Sequence, residues 1–164
     1  MHAAQGPDWV LAIEHSALGE AMRGGVLLYP IVETGHILGF ACLIGSILVL
    51  DFRLLGIVQT VRPALLLRVT VPLAACGLAL AAATGSALFV TEATAYIRNP
   101  AFYLKQTLIV LGLINIAVFH RTFVPAIESW PDNAPPPTQA RVMAGLSAVM
   151  WIGVVVCGRL IAYV

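Results

Sequence analysis

Four stretches of this chain are long and apolar enough to cross a bilayer, and that limits its fold more than any other feature. They run over residues 25–50, 63–90, 100–124 and 139–164. Inside hydrocarbon every backbone N–H and C=O must be satisfied within the protein, so a stretch of about 20 apolar residues folds as a helix. The connections are short, apart from a proline-rich loop at 125–138, PAIESWPDNAPPPT. Short connections place successive helices antiparallel. The expected fold is therefore all-α, an integral membrane four-helix bundle forming a single domain over 1–164. Composition agrees: charged residues make up 10% of the chain, where a soluble domain has about a quarter.

Ahead of the first span, the segment 8–23 has another pattern. Trp9, Ile13, Leu18 and Met22 share one broad face, while Asp8, Glu14, His15 and Glu20 fall mostly elsewhere. This predicts one amphipathic helix, lying at the membrane interface or packed on the mouth of the bundle. The first residues lack the basic region of a signal peptide, so insertion through the first span is expected. A net charge of +1 gives no reason to expect a nucleic-acid partner. Cys42, Cys76 and Cys157 stand at unrelated spacings in apolar stretches and read as small core residues.

Arginines weakly favour one orientation. Arg53, Arg62, Arg68, Arg121 and Arg141 gather at the loop end, against Arg23 and Arg98 at the end holding the termini. By the positive-inside rule both termini face away from the cytoplasm, the periplasm in a bacterial inner membrane. Gly35 and Gly39, then Gly77, Ala81 and Gly85, then Gly145, Gly153 and Gly158 are small residues spaced for close helix approach, or for approach of a flat ligand. Pro30 and Pro72 are expected to bend their spans. Tyr96, Tyr103 and Tyr163 read as an interfacial belt, Asn115 as an interhelical hydrogen bond, and Trp151 as packing.

An ionisable residue inside a span is costly and so raises a functional question. Those about a turn or more inside the spans are Glu33, His36, Arg68, Lys105, His120 and Arg159; Arg68 is near enough to an end to snorkel. At about 1.5 Å rise per residue, Lys105 and Arg159 lie about 7–8 Å from the end holding the termini, Glu33 about 12 Å and His36 about 16 Å. Two cations, a carboxylate and an imidazole thus descend from one mouth. That order suits a ligand with acidic groups at one end of an apolar body. Haem b has this character, with propionates for Lys105 and Arg159, iron for His36, room for the ring at Gly39, and Glu33 beside them. Met150, about 21 Å deep, and His120, about 30 Å deep, are the candidates for a second axial ligand, Met150 being nearer in level. His36 also reads as a core histidine paired with Glu33, and less readily as a copper ligand, since no Met-x-x-Met or Cys–His cluster accompanies it. The hydroxyl residues form no nucleophile–base arrangement, so no catalytic residue is assigned.

YPIVETGHILGFACLIGSILVLDFRLLG, NPAFYLKQTLIVLGLINIAVFH and GVVVCGRLIAYV together resemble a widespread bacterial family of four-span membrane proteins, a domain of unknown function. More distantly, the layout is similar to the HemJ-type protoporphyrinogen oxidases, which are small, four-spanning and haem-associated. His36, Arg53 and Lys105 stand where that family has a first-span histidine, a following basic residue and a third-span lysine. It is also similar to the copper-resistance D membrane domain, which opens with a histidine followed by spaced glycines. The expectation is a haem b protein that moves electrons or anchors a redox complex, with lipid around it and a quinone, a periplasmic redox protein or another membrane subunit, like or unlike, as partner. The alternative is a cofactor-free subunit in which Glu33, His36, Lys105 and Arg159 form a buried network that fixes helix packing.

Overall fold

The computed structural model describes residues 6–58, 60–130 and 135–163. Residues 131–134 of the proline-rich loop, and Val164 at the end of the last span, lie outside the described residues. Two short helices, α1 (Asp8–Glu14) and α2 (Ala17–Gly24), precede the first span, α3 (Leu28–Leu55). Then follow α4 (Pro63–Thr91), a single turn α5 (Ala93–Tyr96), α6 (Pro100–Phe123) with a 3-10 extension over Val124–Ser129, and α7 (Thr138–Leu160). The chain is an all-helical, multi-pass membrane protein whose four long helices are those expected.

Helix boundaries follow local chemistry. Gly56, at φ 86°, ends α3: its N–H donates to Arg53 O, and the Ile57 N–H reaches back to Phe52 O at 3.0 Å. This is the Schellman arrangement, which favours glycine at the left-handed position. α3 therefore runs five residues beyond the expected Leu50, carrying Asp51 and Arg53 within the helix. The Asn99 side chain caps α6, accepting from Ala101 N at 2.9 Å, with Pro100 at the first helical position. Pro30 falls in the first turn of α3, where no N–H is needed, rather than at a bend. Pro72 does lie inside α4, which nonetheless continues to Thr91.

α3 is the organising helix. It packs along α4 on one side and α7 on the other, and α7 packs along α6. α4 and α6 share no extended contact among the described residues, so that side of the bundle stands apart. Near the end holding the termini it is bridged by side chains, with Phe89 stacked on Phe102 at 5.6 Å and Tyr96 beside both. The α3–α4 contact is backbone on backbone. A Cβ on Gly39 would lie 2.7 Å from Ala81 N, and one on Gly77 would lie 2.6 Å from Leu43 N. Between α6 and α7, Trp151 is fully buried and sits against Gly112, where a Cβ would lie 3.1 Å from the indole ring. Outward-facing Val149, Val69 and Leu38 are exposed apolar residues, as a bilayer requires. Of the three cysteines only Cys157 is buried; Cys76 is exposed on α4, so it is not a core residue.

The segment 8–23 is not one amphipathic helix. It breaks at His15, and Ser16 caps α2 by accepting from Gly19 N. Trp9 (60% exposed) and Leu18 (49%) face outward, while Val10 and Met22 are buried. The pair of helices packs on the bundle mouth, against α4 and α5. Glu14 holds it there: its two carboxylate oxygens accept from Thr94 N and Thr94 Oγ1, both at 2.8 Å. Arg23 adds a bond to Thr91 O at 3.0 Å. Replacing Glu14 with alanine removes both acceptors and should cost about 1–3 kcal/mol locally. The expected result is faster hydrogen exchange in α1 and α2 with the spans unchanged; exchange equal to wild type would mean that Glu14 does not hold the cap.

Candidate functional site

His36 projects from α3 onto α4. Its Nδ1 lies 2.9 Å from Ala81 O and 3.2 Å from Thr84 Oγ1. The Thr84 hydroxyl donates its own hydrogen to Leu80 O at 2.6 Å, which leaves its oxygen as an acceptor. A carbonyl and this hydroxyl both accept, so Nδ1 carries the hydrogen and donates. In neutral imidazole Nε2 then holds the lone pair. The ring lies over Gly85, where a Cβ would meet His36 Cε1 at 2.9 Å, so any side chain there would displace the imidazole.

Phe40, one turn along α3, lies 5.7 Å from the His36 ring and 5.2 Å beneath the ammonium of Lys105 from α6. Gly158 of α7 makes room for that ammonium, its Cβ position being 3.6 Å from Lys105 Nζ. Lys105 pairs with no carboxylate among the described residues. The arrangement is thus a half-buried imidazole with a free Nε2 and a lysine lacking a counter-anion, both inside the membrane and separated by one aromatic ring.

A second polar group lies toward the loop end. Asp51, 5% exposed, sits on a cavity of about 180 Å³ formed by all four spans. Ser46 and Thr70 line the same cavity, and Ser46 Oγ, Asp51 Oδ2 and Thr70 Oγ1 are buried without a hydrogen-bond partner. Ser147 of α7 lines the same cavity beside the Asp51 carboxyl. His120 and Asn115 also line the space; His120 donates from Nδ1 to Ile116 O at 3.0 Å and Asn115 donates to Met143 O at 3.2 Å, a bond joining α6 to α7.

The model of one protein family matches residues 11–164, nearly the whole chain. The protein belongs to the DUF6644 family. That family is one of unknown function. No curated protein and no solved structure matches the chain.

In this DUF6644 protein the residues singled out by sequence do not form one cluster. His36 and Lys105 come together around Phe40. Glu33 is exposed and makes no bond to His36, whose Nδ1 is taken by α4. Its electrostatic neighbours are Tyr29 and Tyr96. Tyr96 lies outside the spans, and burial, with Tyr29, Glu92 and Glu33 nearby, holds its phenol above the usual range. Arg159 is exposed and donates to Tyr163 OH at 2.8 Å, one turn on. Among the described residues, then, no hydrogen-bonded network joins Glu33, His36, Lys105 and Arg159. The room expected at Gly39 is filled by the backbone of α4. Met150 is part-exposed on α7, and His120 belongs to the Asp51 cavity rather than to His36. Arg53, 2% exposed, donates from Nε to Val61 O and ties down the turn between α3 and α4, at the far end of α3 from His36.

Proposed function

We propose that the protein binds one haem b at His36 and carries electrons within the bilayer, alone or as the membrane part of a redox complex. The reading rests on one observation: α4 holds the Nδ1 hydrogen of His36, so Nε2 is left with its lone pair. Backbone-held Nδ1 is the usual support for an imidazole that ligates a metal, because it fixes tautomer and orientation together. The other donors fit the same group. Lys105, a cation without a carboxylate in a medium where isolated charge is costly, would hold a propionate. Gly85 withholds a side chain that would push the ring aside. Space for a macrocycle cannot come from Gly39, so the ring would have to lie toward the side where α4 and α6 part. Bound there, haem would supply a one-electron iron couple.

The chain's own contribution is orientation and charge. Thr84 and Ala81 aim the imidazole, Phe40 keeps water from it, and Lys105 favours whichever ligand state is more negative. Partners consistent with this place are a quinone in the surrounding lipid or a redox protein docked where the termini lie, on the periplasmic side of a bacterial inner membrane by the arginine bias.

The test is a visible spectrum of detergent-purified protein, oxidised and dithionite-reduced, with a pyridine haemochrome assay. One haem b per chain is the expected result. Colourless protein from haem-replete cells would overturn the reading.

A further inference from the structure

The Asp51 cavity is a site of its own, and its case does not rest on the reading of His36. We infer that it binds the ring of a lipid-soluble hydroquinone, a neutral aromatic ring whose hydroxyls donate hydrogen bonds.

Ser46 and Asp51 from α3 and Thr70 from α4 line one space, and Ser46 Oγ, Asp51 Oδ2 and Thr70 Oγ1 are buried without partners. Leaving one buried polar atom unmatched is unfavourable, and native proteins rarely leave several in one place without an occupant. A carboxyl oxygen and two hydroxyls can all accept, so a molecule carrying hydrogen-bond donors can satisfy all three together. The remaining walls are mostly apolar, with Leu43, Ile47, Leu54 and Phe119 among them beside Asn115, His120 and Ser147. Mostly apolar walls with a few convergent polar groups are the common character of a small-molecule site. They disfavour a hydrated cation and favour a neutral ring.

Size and access narrow the choice. A cavity of about 180 Å³ compares with the roughly 150 Å³ that accommodates one benzene ring. It is too small for a macrocycle and suits a single substituted ring. The cavity wall includes Ala75 of α4 and Leu113 of α6, both exposed, on the side where these two helices part. A ligand carrying an apolar tail could therefore seat its ring at Asp51 and leave its tail among the lipids. A sugar or a free amino acid has no such route and no such tail.

The test uses the full chain in nanodiscs of synthetic lipid free of quinone, with tetramethylhydroquinone as probe, kept anaerobic and followed by equilibrium dialysis. One site per chain is expected. Asp51→Asn and the near-isosteric Thr70→Val should each weaken binding about three- to tenfold, the scale of one hydrogen bond weakened or lost. Thermal stability is the second readout. Because each replaced atom is already unmatched, Thr70→Val should leave the melting temperature unchanged or raise it, whereas a purely structural role predicts a fall. No binding by wild type would overturn the proposal. So would equal binding by both variants, tighter binding of an alkylammonium of similar size, or a cavity filled by ordered water that the probe does not displace.

Discussion

Replacing Gly39 with leucine should prevent α3 and α4 from packing, the largest stability effect expected of any single change in the spans. A Cβ at this position would already stand 2.7 Å from Ala81 N and 3.0 Å from Gly77 O. Both are backbone atoms of a helix, so no rotamer change can make room. Gly77 returns the contact, its Cβ position being 2.6 Å from Leu43 N. Alanine at Gly39 should cost about 1–3 kcal/mol, the usual range for overpacking. Leucine adds three further carbons against the same wall and should cost well over about 3 kcal/mol. α3 is also the partner of α7, so separating it from α4 disturbs the whole bundle. Gly45 on the same helix is the control, because a Cβ there meets nothing within 4 Å. Gly45→Leu should stay within about 0.5 kcal/mol of wild type. Unfolding in mixed detergent, read by circular dichroism, measures all three; similar midpoints for Gly39→Leu and Gly45→Leu would sink the argument.

The spans were legible because hydrophobic length alone decides them. Which glycine faces which neighbour was not. Gly35, Gly39 and Gly45 look alike in sequence, yet only Gly39 meets another backbone, and what it admits is a helix rather than a ligand. Spacing says that something can come close and is silent about what does. Asp51 was hidden for a different reason. An acidic residue followed closely by Arg53 looks like the start of a loop, which puts the expected end of the first span at Leu50. The helix in fact ends at Leu55, five residues later and capped by Gly56, and the difference turns a loop aspartate into a membrane-buried one. Ser16, a good capping residue inside an apparently continuous amphipathic pattern, was the signal that 8–23 is two helices. For His36, sequence shows a histidine on a span. The groups that fix its tautomer come from Ala81 and Thr84, 45 and 48 residues onward, and only the packing of α4 on α3 brings them there.

His36→Ala should abolish the haem spectrum while leaving the fold in place, and this separation of effects gives the experiment its force. His36 is only half-buried, and its ring rests over Gly85, so its loss leaves a space open to neighbouring side chains or lipid rather than a sealed void. The stability cost should be about 1–2 kcal/mol, small beside that of Gly39→Leu. The Soret band should vanish, because no second histidine is brought to the site: His120 donates to Ile116 O and lines the Asp51 cavity. Graded variants then separate the roles around it. Thr84→Val removes one acceptor from Nδ1 but leaves Ala81 O, so haem should remain and bind about tenfold more weakly, the lower end for loss of a supporting hydrogen bond. Lys105→Met keeps the imidazole intact and removes the cation, so the band position should persist while affinity falls and the midpoint potential drops, since a positive charge nearby favours the reduced iron. A full band in His36→Ala would place the iron elsewhere in the chain. The backbone-held imidazole would then be a helix clamp between α3 and α4, and Thr84→Val would lower thermal stability without touching the spectrum.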